Sequence, residues 1–223
     1  MENYNENNSI QIGGRVAKEP VFSHEIFEEK FYKFYLETKR LSDSYDELPV
    51  IISERLININ ELKNGILLKI EGQFRSYNQL NNGRSKLVLS IFAKEINLCD
   101  DENIITLNDA TFIGYICKNP IYRKTPLGRE IADVLIAVNR SYKKSDYIPC
   151  ILWGRNAKFC ETLSVGSRVK LNGRIQSRKY EKKTENGDVI PMTAYEVSIS
   201  KFSVAKSQSE EKNNENLQES IIE

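Results

Sequence analysis

Residues 147–176, YIPCILWGRNAKFCETLSVGSRVKLNGRIQ, hold a strand, a short helix and a second strand in close succession. In the first segment Ile148, Cys150 and Leu152 alternate with Tyr147, Pro149, Ile151 and Trp153. One face is therefore small and aliphatic, the other carries two large rings, and neither carries a charge. GRNAKFCETLSVG follows, with Phe159 and Leu163 four residues apart on one helical face and Gly166 as a stop. SRVKLNGRIQ then alternates cleanly, Val169, Leu171, Gly173 and Ile175 against Arg168, Lys170, Asn172, Arg174 and Gln176. Two further strands are predicted upstream, over 110–117 and 131–138, and one downstream, over 192–204, after a type I′ turn signal at Asn186-Gly187. Strand, strand, strand, helix, strand, strand is the order of the OB-fold, a five-stranded barrel. Pro149 inside its strand predicts an edge position.

The chain repeats itself at a shift of 100. IGGRVAKEPVF (12–22) parallels IGYICKNPIY (113–122), with Gly14, Lys18 and Pro20 matching Gly114, Lys118 and Pro120. Arg40, Pro49, Ile51 and Arg55 match Arg140, Pro149, Ile151 and Arg155. After one inserted residue, Gly65, Lys69 and Gly72 match Gly166, Lys170 and Gly173. So long a common register predicts a duplicated domain. The fold class expected is all-β, two tandem OB-fold barrels of five strands and one short helix each. Residues 1–9 read as a flexible N-terminus, 10–105 and 106–206 as the two barrels, and 207–223 as an acidic disordered tail.

Composition bounds the function. No apolar run approaches the length of a membrane span, and the polar, acidic N-terminus does not read as a signal peptide. Cys99, Cys117, Cys150 and Cys160 form no CxxC pair, and with the lone His24 they make no zinc spacing. Cys117 and Cys150 read as core thiols in a reducing cytosol. No nucleophile elbow, P-loop or metal motif is present, so an enzyme is not expected, nor a cofactor or metal. The formal charge of +1 hides an uneven distribution: residues 1–105 carry 13 Lys/Arg and 17 Asp/Glu, 106–206 carry 18 and 9, and 207–223 carry 1 and 5. One block of net +9 between two of net −4 points that block at a polyanion.

If the aliphatic triad fills the barrel, Tyr147 and Trp153 project outward together, roughly 20 Å apart. The plainer alternative puts Trp153 in the core, capped by the helix at Phe159. Arg140, Lys143, Lys144 and Arg155 surround the rings in sequence. Rings interleaved with cations suit unpaired nucleic acid, because bases stack on rings and Lys or Arg neutralise phosphates.

At this point NRSYKKSDYIPCILWGRNAKFCETLSVGSRVKLNGRIQSRKY (139–180) resembles the bacterial single-stranded DNA-binding protein family, over most of 110–205. The family's aromatic positions read here as Tyr142, Tyr147, Trp153 (in Trp153-Gly154-Arg155) and Tyr180, which follows Arg178-Lys179. The resemblance implies an OB-fold that binds single-stranded DNA in replication, recombination and repair. The DNA-binding residues it implies, with the neighbouring cations, are Tyr142, Tyr147, Trp153, Tyr180, Arg140, Lys143, Lys144, Arg155, Lys170, Arg174 and Arg178. It further implies four barrels, here as a homodimer, and a bacterial cytoplasmic, nucleoid-associated location. The family's acidic tail recruits replication or repair proteins; this one ends Ile221-Ile222-Glu223, a departure from the usual tip.

In the first copy the four aromatic positions read Ser42, Glu47, Ser53 and Gln79, and the outward set of the fourth strand is Leu67, Lys69, Glu71 and Gln73. That barrel is expected to be structural or protein-binding. Phe31, Tyr32, Phe34 and Tyr35 read as core and oligomer contacts, or as a separate stacking platform. Two other readings stay open: an RNA-binding or primosome-type OB module, since stacking does not sense the 2′-hydroxyl, and a structural paired-barrel adaptor.

Overall fold

A computed structural model describes residues 7–81, 83–183 and 187–204. The tail from 207, Asn186 of the expected turn and most of the expected flexible N-terminus lie outside the described residues. Strand β1 begins at Asn8, so Asn8 and Ser9, read as flexible, are strand instead.

The first barrel comprises β1 (Asn8–Ile26), β2 (Glu29–Lys39), β3 (Tyr45–Ser53), β4 (Leu67–Asn81) and β5 (Arg84–Leu98). The second comprises β6 (Asn108–Ile116), β7 (Ile121–Lys124), β8 (Glu130–Arg140), β9 (Lys144–Trp153), β10 (Arg168–Lys183) and β11 (Val189–Val204), with one helix, α1 (Gly154–Glu161). Each closes on itself by the same route. The first runs β1-β2-β3-β5-β4 and back to β1, the second β6-β8-β9-β11-β10 and back to β6. In each, one contact is parallel, β3 with β5 and β9 with β11. These are two OB-fold barrels. β7 is a short extension of the first-strand segment, paired with β8.

Alternation fills the interiors as the pattern predicts. Ile148, Cys150 and Leu152 are buried on β9, and Val169, Leu171, Gly173 and Ile175 on β10. The matched glycines have a steric cause. At Gly173 a Cβ would sit 2.3 Å from the Ser198 carbonyl oxygen, and at Gly72 it would sit 2.2 Å from that of Phe92. Both lie where the fourth strand shifts register against the fifth, and the close backbone approach there admits no side chain.

Three local expectations change. The buried face of α1 is Ala157 and Cys160, while Phe159 lies outside, edge-on to Phe202 at 5.8 Å. Small residues let the helix approach the barrel more closely than a ring would. In the first barrel the short helix is a single 3-10 turn, Ile59–Glu61. Pro149 is not on an edge strand: β9 lies between β8 and β11, but β11 pairs only with Cys150 and Ile151, which leaves the proline outside that ladder. In the first copy Phe31 and Phe34 are buried, and Tyr32 packs on the core, whereas the Tyr35 ring lies under Lys18 and Lys33 at 4.7 and 5.1 Å.

The barrels join through β1 and β6, which pair antiparallel about Ile10 and Ala110, Asn8 with Phe112 and Asn108 with Ile12. Moving each residue to its counterpart in the other barrel, 100 positions away, turns one pair into the other (Asn8 to Asn108, Phe112 to Ile12), so the junction has an internal two-fold. At Asn8 the backbone turns to the other barrel, and the side-chain amide substitutes for a peptide in its own ladder. Nδ2 donates to the Phe74 carbonyl at 2.8 Å and Oδ1 accepts from its N–H at 2.9 Å. Asn108 does the same with Ile175, at 2.8 and 2.9 Å. Buried polar groups require such partners, and an amide side chain offers both a donor and an acceptor.

Candidate nucleic-acid interface

The four aromatic positions all lie at the surface of the second barrel: Tyr142 is 94% exposed, Tyr147 40%, Trp153 37% and Tyr180 38%. Three are placed by strands and Tyr142 by a turn. Trp153 is the last residue of β9, pointing outward with Tyr147, and Gly154 starts α1 with a left-handed φ of +54°. The indole Nε1 donates to Ser198 Oγ at 3.0 Å, which orients the ring on the outer surface. It is not sealed in the core. Tyr142 sits in the turn between β8 and β9 with a left-handed φ of +63°, and Lys143 follows at +55°. Tyr180 lies in the part of β10 that runs on past the barrel with β11, and the Arg178 guanidinium is 5.7 Å from its ring centre.

The cations divide. Lys143, Lys144, Arg155, Lys170 and Arg178 are exposed, although Arg178 Nε is 3.5 Å from Glu196 Oε2. Arg140 and Lys144 line one cavity with Tyr147, and an adjoining cavity with Tyr142 and Lys143. Arg174 turns away. Its Nη2 donates to the Lys39 carbonyl at 3.0 Å and to that of Thr106 at 3.3 Å, and burial lowers its pKa. Its alternation on β10 is as expected, but two carbonyls at the junction of the barrels claim the guanidinium, so it acts as a brace there.

The same positions in the first barrel offer no ring and no free charge pattern of this kind. Glu47 takes a hydrogen bond from Lys18 Nζ at 2.8 Å, and Lys69 pairs with Glu71 at 2.8 Å. Ser53 is buried and donates to Glu29. Arg75 and Tyr77, however, stand outside the four aligned positions. The period-two run Leu67, Lys69, Glu71, Gln73 continues through them to Gln79, and that continuation was the available signal. Tyr77 is exposed, and Arg75 lies 3.7 Å over the Phe92 ring. Burial, then the neighbouring charge of Arg140, lowers Arg75 to about 10, which leaves it cationic at neutral pH.

Among the described residues no group of His, Cys, Asp or Glu is placed to hold a metal, and no helix is long and apolar enough to cross a membrane.

Two closed OB barrels, one carrying outward rings among cations, define the class. Residues 107–205 match the model of the single-strand binding protein family. Single-stranded DNA-binding protein B of Bacillus subtilis is 38% identical over 84 residues, covering 33% of this chain and 72% of that one. The single-stranded DNA-binding protein of Lactiplantibacillus plantarum is 32% identical over 111 residues, covering 47% of this chain and 54% of that one. The single-stranded DNA binding protein of Thermus aquaticus superposes over 90% of this chain and 93% of its own with a TM-score of 0.72, at 16% identity, a likeness of fold that takes in both barrels. The chain belongs to the single-strand binding protein family. It spans 72% of the B. subtilis relative and about half of the other curated relatives it resembles.

Proposed function

We propose that the chain binds single-stranded DNA without catalysis, in bacterial replication, recombination or repair, and that the second barrel supplies most of the affinity. Bases stack on Tyr142, Tyr147, Trp153 and Tyr180, while Lys143, Lys144, Arg155, Lys170 and Arg178 neutralise phosphates. The observation that carries this reading is that all four rings of the family pattern lie at the surface, among exposed cations. Stacking is worth about 1–3 kcal/mol per base and tolerates any sequence, which suits a protein that must coat whatever strand is exposed. Two chains associate to present four barrels in the cytoplasm, around the nucleoid, and the acidic tail recruits replication or repair proteins.

Binding of labelled oligo(dT) at a series of salt concentrations tests the reading. Releasing counterions from five phosphates predicts a log–log slope of about −3.5. A slope near zero would remove the cationic surface from the account. Preference for poly(U) over poly(dT) in competition would favour the RNA reading, and sedimentation at the monomer mass would exclude the paired assembly.

A further inference from the structure

The β4–β5 hairpin of the first barrel lies over β9 of the second. Ser76 N donates to Asp146 Oδ1 at 2.8 Å, and Tyr147 N donates to Ser76 Oγ at 2.7 Å. This clasp brings Tyr77 and Leu87 of the first barrel beside Arg140, Lys144 and Tyr147 of the second, around an open cavity of about 240 Å³. It is smaller than the roughly 300–1,000 Å³ of pockets that enclose whole drug-sized ligands. Two tyrosine rings, one from each barrel, and an aliphatic wall meet there with two cations.

The Arg140 donors distinguish this junction. At the two-fold-related junction Asp46 holds Arg40 by two bonds, from Nε at 2.8 Å and from Nη2 at 2.6 Å. Here Asp146 Oδ2 is 3.7 Å from Arg140 Nε, a buried nitrogen with no hydrogen-bond partner, so the guanidinium is held less tightly than at Arg40. The residue 100 positions before Tyr147 is Glu47, itself tied to Lys18, so the equivalent junction offers an acid where this one offers a ring. The 240 Å³ cavity also shares Arg140, Lys144 and Ser145 with the neighbouring cavity beside Tyr142, so the two adjoin along the same cations.

From these observations we infer that the groove between the barrels is a nucleobase subsite, in which Tyr77 of the first barrel and Tyr147 of the second flank one base and Arg140 and Lys144 take its phosphate. This rests on the reading of the chain as a single-strand binder and adds to it: the first barrel, acidic overall and without the family's four rings, contributes one ring of its own. A strand leaving the second barrel at this point passes onto the first.

The test uses the full-length protein and fluorescein-labelled oligo(dT). Tyr77→Ala should weaken binding by roughly 5- to 150-fold, the loss of one stack, while Tyr77→Phe, which keeps the ring, should bind like the wild type. In addition, an oligonucleotide carrying 5-iodouracil, irradiated on the wild-type protein, should crosslink to the peptide containing Tyr77, a readout independent of how any variant folds. If Tyr77→Ala binds like the wild type and the crosslinks fall only within residues 139–180, the subsite is wrong while single-strand binding stands. If the wild type binds no oligonucleotide, the reading beneath it falls as well.

Discussion

The double substitution Tyr147→Ala, Trp153→Ala lowers affinity for oligo(dT) by about 2–6 kcal/mol, the loss of two stacked bases. Both rings point outward from β9, opposite the buried Ile148, Cys150 and Leu152, so the barrel should stay folded. Among the described residues one side-chain hydrogen bond, from the Trp153 indole to Ser198, disappears with them, and that contact is exposed. Anisotropy of a labelled oligonucleotide measures the loss, since the variant has no tryptophan. Wild-type affinity in a folded double variant would mean that the strand follows another surface.

Asp46→Ala destabilises the protein by about 2–4 kcal/mol and lowers its melting temperature by about 4–16 °C. The buried Asp46 carboxylate takes bonds from Arg40 Nη2 at 2.6 Å and from both the N–H and the hydroxyl of Ser177 at 2.7 Å. Its removal leaves the Ser177 N–H without an acceptor and the Arg40 guanidinium with the Ser177 carbonyl but no carboxylate. The cost stays below that of a fully enclosed pair because the Arg40 side chain is 35% exposed. Asp146→Asn at the related junction should cost much less. Burial pushes the Asp146 carboxyl above its ordinary range, against the Ser76 hydrogen bond and the charges of Arg140 and Arg75. With the folded-state pKa raised, the ionised form is disfavoured on folding, and its contribution to stability falls as pH rises through that range. An asparagine keeps the acceptor for Ser76 N without the buried charge. Thermal melts of the two variants side by side check the difference; equal losses would contradict this account of the two junctions.

The barrels were legible because their logic is local and periodic. Alternation on β9 and β10 identifies the inward sets, and the paired glycines 72 and 173 mark a close backbone approach that admits no other residue. Of the exposed rings, Tyr147 and Trp153 followed from the same alternation, whereas Tyr142 and Tyr180 were marked by the family resemblance. What escaped depends on how the barrels meet. Arg174 sits on the outward face as expected, yet two carbonyls near the junction claim it. Asn8 reads as part of a polar terminus, although its amide completes a β-ladder. Phe159 shows helical spacing with Leu163, but the barrel wall selects Ala157 and Cys160 for their size. Tyr77 gains meaning only from the ring of the other barrel across the groove. A period places Tyr77 on the outer face and Ala157 with Cys160 on one helix face, but it does not say which distant residue each meets, because every such contact joins separate parts of the chain.

The most direct test of the central claim, that the outer surface of the second barrel stacks unpaired bases, is titration of the full-length protein with oligo(dT) while following the fluorescence of Trp153, the single tryptophan. Saturable quenching is expected at low salt, weakening steeply as salt is raised. An unquenched signal at low salt, from a protein shown to be folded, would contradict it.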